Sequence, residues 1–273
     1  MADKSVAVAR PRERRPLTFF AMVLALAIPI WALSRFVGVI GSLKVPVTDL
    51  MLAFTPLTAG CILVASDEGA GGLVAFLGRA FALRSLARSG WLAAALLLAP
   101  LIYVLTYVGL HLAGYVGEPS ANYLQLPILA AVMFALAIGE EAGWTGYLLD
   151  PLQARFGALG ASLIIAIPWW LGHIPSILEI GGSAGDLAIW FPGAIALRVL
   201  MTWLYNNSGR SLAAVVLFHT LLNVGRSISY PTVGSHYDPV YQAAGYGVAF
   251  VLALLVVMIW GPKRLTKATT AAR

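Results

Sequence analysis

The chain reads as an all-α integral membrane protein, a bundle of about eight transmembrane helices. Three observations predict this. Sixty per cent of the 273 residues are hydrophobic and only 11% are charged, against roughly 25% charged in an ordinary soluble domain. Mean hydropathy is +0.84. The apolar residues fall into successive runs of about 20, the length of a helix that crosses a bilayer. The formal charge of +6 does not point to nucleic acid, because the Lys and Arg residues occupy short segments between apolar runs. The single cysteine, Cys61, has no partner for an internal disulfide and no ligand-spaced companion.

Taken in order, residues 1–15 form a basic tail with Lys4, Arg10, Arg12, Arg14 and Arg15. The apolar run from Leu17 to about Ile40 is too long for a signal peptide and is read as a retained first span. The second span runs from Val45 to Ala65 and stops at Ser66-Asp67-Glu68-Gly69. From Gly71 to Ser89, Leu73, Phe76, Leu77, Phe81 and Leu83 alternate with Arg79, Arg84 and Arg88. That pattern suits a basic amphipathic helix at the interface or a cytosolic loop helix. The remaining spans are expected near Gly90–Ala113, Tyr123–Leu149, Leu159–Leu178, Ala188–Tyr205, Ser211–Ile228 and Tyr241–Trp260. Residues 16–262 make one membrane domain with its motifs in 123–228, and 263–273 form a second basic tail.

Orientation follows from Lys/Arg asymmetry. With a cytosolic amino terminus, fourteen Lys and Arg lie in inside segments, against Arg35, Lys44 and Arg226 outside and Arg198 within a span. Both termini are expected in the cytoplasm of a bacterial-type cell membrane, with the polar site opening to the cytosol. Trp91, Tyr115, Tyr123, Trp190, Tyr205, Tyr241 and Trp260 fall near predicted span ends, where such rings serve as interfacial anchors. Glycines 139, 143, 146, 157, 160 and 172 are expected to let helices approach closely.

Polar residues inside three consecutive spans carry the functional reading. An ionisable group carried into a bilayer is costly unless paired or hydrated, so it is by default a working residue. The fourth span bears Glu140-Glu141, the fifth Trp169-Trp170-Leu171-Gly172-His173, and the seventh His219-Thr220-Leu221-Leu222-Asn223. Neighbouring helix positions point about 100° apart, so the two glutamates face different partners. His219 and Asn223, four apart, share one helical face. Read singly, each has a structural alternative: a solvated acidic pair at a span end, a histidine bonded to a carbonyl, polar groups joining two helices. There is no Gly-x-Ser-x-Gly elbow and no His-Glu-x-x-His pair. Two chemistries remain, water activated by a glutamate with His or Asn donors for an oxyanion, or a zinc ion held by carboxylate and imidazoles. Spacing does not separate them.

The three motifs in this order resemble those of the CPBP family, the CAAX protease and bacteriocin-processing intramembrane proteases, which include the Ras-converting CAAX endoprotease. The family pattern is Glu-Glu-x-x-x-Arg, Phe-x-x-x-His and His-x-x-x-Asn/Asp. The resemblance implies an intramembrane endopeptidase in which Glu140 activates water, His173 holds it, and His219 with Asn223 stabilises the oxyanion. Glu141, Trp144, Thr145 and Trp169 are implied as supporting residues. It implies a peptide or membrane-protein substrate, CAAX-like C-terminal segments included, within a lipid bilayer. It implies no cofactor, with zinc an alternative that is not favoured. Two departures stand out: Thr145 replaces the motif Arg, and Trp169 replaces Phe. Arg155 is one residue that could restore the missing charge. The alternatives are a catalytically inactive scaffold of the same fold, for which Thr145 is the argument, and a proton-coupled transporter.

Overall fold

The structure is a computed structural model that describes residues 14–34, 36–40, 45–115, 124, 126–179, 181–229 and 238–267. Eleven α-helices follow one another among these residues. They are α1 Pro16–Leu33, α2 Val47–Leu52, α3 Thr55–Gly78, α4 Leu83–Arg88, α5 Leu92–Leu112, α6 Leu126–Glu141, α7 Asp150–Gly172, α8 Ile174–Glu179, α9 Ala184–Asn207, α10 Leu212–Ser229 and α11 Pro239–Trp260. The expected all-α membrane class is borne out. The extended backbone is a two-residue antiparallel bridge, Val39–Ile40 on Val45–Pro46, which ends the first apolar run earlier than hydropathy suggests.

Among the described residues, six stretches qualify as spans by length and apolarity: Pro16–Leu33, Val47–Phe81, Leu92–Leu112, Leu126–Glu179, Ala184–Asn207 and Pro239–Trp260. The fourth of these, 54 residues, would be roughly 80 Å long as one helix, far beyond an apolar core of about 30 Å. It is two passes, broken at Gly157, whose φ of 73° and ψ of 172° are non-helical. Only glycine takes such a conformation without strain. Counting α10, apolar but shorter, gives the eight passes that the apolar runs imply. Gly69 breaks α3 in the same way, where Ser66-Asp67-Glu68-Gly69 marked the end of a span.

The connections sort into two ends. At one, Arg15 pairs with Asp67 at 2.9 Å, Tyr205 donates to Asp150 at 3.1 Å, and Asn206 donates to the Arg264 carbonyl at 2.9 Å. At the other, Thr48 donates to Glu179 at 3.0 Å and Tyr115 to Asp238 at 2.8 Å. The basic amphipathic segment belongs to the first end. It is a helix packed onto the bundle, with Phe76 buried and Arg79 donating to the Gly146 carbonyl and to the Tyr205 hydroxyl, both at 2.8 Å. Trp190, Tyr205 and Tyr241 are buried, so these three expected interfacial anchors are internal. Tyr123 lies outside the described residues.

After Glu141 the helix widens into a π-helical stretch, Ala142–Leu149, buried throughout. Such stretches are frequent at functional sites. This one lies against the start of α3, and the contact is backbone to backbone. A Cβ on Gly143 would stand 2.4 Å from the Pro56 main chain, and one on Gly139 would stand 2.7 Å from the Ala53 oxygen. Close approach was expected at these glycines; at Gly172 nothing comes within 4 Å. Gly143→Ala should lower the thermal stability of the detergent-solubilised protein by an amount equivalent to about 1–3 kcal/mol, the range for overpacking a filled core. Gly172→Ala should leave the melting temperature unchanged.

Candidate active site

Glu140 and Glu141 end α6 and are 8% and 0% exposed, so they are not a solvated pair at a span end. Their surroundings differ as their angular separation requires. Glu141 is enclosed by donors. Arg198 of α9 grips it with two parallel bonds, Nη2 to Oε1 at 2.6 Å and Nη1 to Oε2 at 3.0 Å. His219 Nδ1 donates to Oε1 at 2.9 Å, and the Thr145 hydroxyl donates to Oε2 at 2.5 Å. A bidentate guanidinium clamp with further donors is the arrangement that makes a buried carboxylate tolerable as an anion. Both Glu141 oxygens are occupied, which leaves it no lone pair in the right place to take a proton from water.

Glu140 faces an open space instead. Its Oε2 accepts a short hydrogen bond from the Trp169 indole N–H, and its Oε1 lies 4.0 Å from His219 Nε2. Glu140, Trp144, Trp169, His173, His219 and Asn223 line one cavity of about 240 Å³. All the candidate residues are thereby accounted for: six on the cavity wall, and Glu141 with Thr145 bonded together behind it. His173 Nδ1 donates to the Trp169 carbonyl at 2.8 Å, which leaves Nε2 of the neutral ring as an acceptor. Trp144 packs edge-on to Phe19 at 5.6 Å and closes one wall.

Two residues read differently from the sequence expectation. Arg155 does not compensate for Thr145; it lies 5.1 Å over the ring of its neighbour Phe156, ahead of the Gly157 break. The compensating charge is Arg198, 2% exposed, whose guanidinium also lies 4.1 Å above the Trp169 ring. Trp169, where the family has Phe, is more than a preserved aromatic, because only an indole N–H can donate to Glu140. A cation buried in an apolar run is a recognisable signal, and Arg198 carried it in the sequence; its partner was not legible, since 57 residues separate the pair.

Other wall residues were missed. Trp190 packs on Trp169 at 5.1 Å and on His173 at 5.6 Å between ring centres. Asp49, on the short helix α2, lies on the cavity with Arg226 and Ser227 and interacts electrostatically with His173. The sequence offered Asp49 as an acidic group within an apolar run, the same signal that singled out the glutamates.

As a metal site the arrangement is incomplete. Among the described residues no three of His, Cys, Asp and Glu are gathered closely enough to hold an ion, and His219 Nδ1 is already committed to Glu141. The site's chemistry is that of a carboxylate, two imidazoles and an amide around a small cavity.

The ion pair makes a sharp forecast. Arg198→Ala leaves Glu141 buried and under-neutralised, and should destabilise the protein by about 3–5 kcal/mol, the range for breaking one side of a buried pair. Joining it with Glu141→Gln should recover part of the loss in a thermal melt. Thr145→Arg, which restores the family motif, forces a second guanidinium into a filled place and should lower both stability and activity. An unchanged melting temperature for Arg198→Ala would mean that Glu141 is not held as an anion.

Residues 121–225 match the family model described as Type II CAAX prenyl endopeptidase Rce1-like. The chain is also 26% identical over 141 residues to the CAAX prenyl protease 2 of Methanococcus maripaludis, a match that covers 49% of this chain and 49% of that protein. It thus spans about half the length of the curated relative it matches. The matched segment begins ahead of α6 and ends within α10, and so contains Glu140-Glu141, Trp169, His173, His219 and Asn223. Over the segment that carries Glu140, His173, His219 and Asn223, the chain has the sequence pattern of the Rce1-like CAAX protease family.

Proposed function

We propose that this chain is an intramembrane endopeptidase in which Glu140 activates water. The observation that carries the reading is the unequal treatment of two adjacent buried carboxylates. Glu141 is saturated by Arg198, His219 and Thr145, whereas Glu140 keeps an oxygen turned to the cavity. Paired groups whose environments diverge in this way take different roles in acid–base chemistry.

In this mechanism a water in the cavity is held between Glu140 and His173 Nε2. Glu140 takes its proton as the oxygen attacks a peptide carbonyl, and the Trp169 N–H keeps the carboxylate oriented towards the water. Negative charge develops on the carbonyl oxygen. It is met by the amide of Asn223 and by the ring of His219, whose Nδ1 rests on Glu141. Glu140 then passes the proton to the leaving amine. Arg198 and Glu141 act behind His219, setting the ring's direction. No step is routed through a metal. The substrate is a peptide or membrane-protein segment that enters an apolar, aromatic-walled cavity; a CAAX-like C-terminal peptide is one member of that class.

The test is proteolysis of a mixed peptide library by detergent-solubilised protein. Glu140→Gln keeps the shape and the bond from Trp169 but removes the base, and kcat should fall by about 10²–10⁴-fold with the fold intact. Trp169→Phe, which restores the family's residue, should cost about 10–100-fold, the worth of one hydrogen bond to a charged group. Undiminished cleavage by Glu140→Gln would defeat the assignment. Cleavage abolished by a chelator and restored by zinc would replace it with a metal mechanism.

A further inference from the structure

The cavity has a direction. Its lining includes Trp31 at the end of α1, Asp49 on α2, His173 at the end of α7, Arg226 in the last turn of α10 and Gln242 in the first turn of α11. None of residues 57–101, 145–167, 198–218 or 250–267 lines it. Those intervals contain every described connection at the end where both chain ends lie. Below the site, towards that end, the bundle is closed. Phe19 stacks on Tyr147 at 5.2 Å, the Arg15 backbone N–H donates to the Tyr147 hydroxyl at 3.1 Å, and Arg79 binds the Gly146 carbonyl. The cavity therefore runs from Glu140 to the end of the bundle opposite Arg15 and Lys267. Cytoplasmic termini and a site open to the cytosol, both expected from sequence, exclude one another.

Charge decides between them. Among the described residues the closed end carries ten Lys and Arg, from Arg14 and Arg15 to Arg264 and Lys267, and the mouth end Arg226. Short loops rich in Lys and Arg stay on the cytoplasmic side. Among the described residues the mouth end carries four carboxylates besides Glu140 and Glu141, Asp49, Glu179, Asp186 and Asp238, and so leans acidic, with aromatic walls beneath.

We propose that the cavity opens on the extracytoplasmic face and takes its substrate from there: a polypeptide segment with apolar side chains that is exposed outside the membrane or emerges from its outer leaflet. The substrate part of this inference rests on the endopeptidase reading; the sidedness does not. It narrows the substrate class to secreted or membrane-anchored polypeptides after translocation, and makes a protein modified and retained on the cytosolic face a poor candidate.

Sidedness is measured with single cysteines in a Cys61→Ala background, Cys61 being the sole native thiol. Gly38, beyond α1 at the mouth end, and Gly78, at the closed end, have open space where a Cβ would go, so Gly38→Cys and Gly78→Cys should fold. In intact cells a membrane-impermeant maleimide should label Gly38→Cys and spare Gly78→Cys, which reacts only after permeabilisation. A soluble, quenched-fluorescence peptide that the detergent-solubilised protein cleaves should be cleaved by right-side-out vesicles and spared by inverted ones. The reverse labelling, or cleavage confined to inverted vesicles, overturns the proposal and leaves the endopeptidase reading standing. A detergent-solubilised protein with no activity defeats the endopeptidase reading instead, and the labelling still decides the orientation.

Discussion

A fully buried carboxylate that must be kept charged is the constraint on which the rest of this structure depends. Glu141 has no contact with solvent, and an ion of that kind in a low-dielectric interior is tolerated only when it is paired and hydrogen-bonded on all sides. Three elements supply what it needs: Arg198 from α9, His219 from α10 and Thr145 from the π-helical stretch that follows it. Meeting that demand fixes how these helices are rotated about their axes. It also fixes the imidazole of His219, and so what the other ring nitrogen presents to Glu140.

The replacement of the family Arg by Thr145 fits into this scheme without loss of charge. The guanidinium arrives from another helix, where its face also rests on Trp169. Trp169 in turn donates to Glu140. Arg198, Trp169 and the two glutamates form one connected set, in which one substitution relative to the family pattern is accompanied by another. This removes the strongest argument for an inactive scaffold, since the position vacated by Arg is electrically filled.

The architecture places this set asymmetrically. Glu140 lies at the floor of a cavity whose walls are mostly apolar and whose mouth is at the end away from the basic segments. The break at Gly157 lets α7 return immediately beside the π-helical stretch, so that Trp169 and His173 approach the glutamates from the next pass. Gly143 lets the start of α3 lie directly on that stretch. Small residues thus perform the close packing that a bilayer does not drive by hydrophobic force.

Much was legible from the chain alone. The membrane class and the succession of apolar passes follow from the length and apolarity of the runs, because a bilayer imposes one dimension and requires backbone bonds to be satisfied within each helix; the boundaries do not, since α1 ends at Leu33 and not near Ile40. The candidates Glu140, Glu141, His173, His219 and Asn223 were legible because polar groups in apolar runs are rare enough to stand out. What the tertiary structure alone decided is which polar groups meet. That Arg198, not Arg155, neutralises Glu141, that Trp169 is a donor, that Trp190 is a wall and not an anchor, and that the cavity opens away from the basic ends all depend on helix rotation and on contacts between residues far apart in sequence. Periodicity along one helix specifies a face but not the helix that covers it, and pairing across the bundle is set by packing and by charge neutralisation among several helices at once.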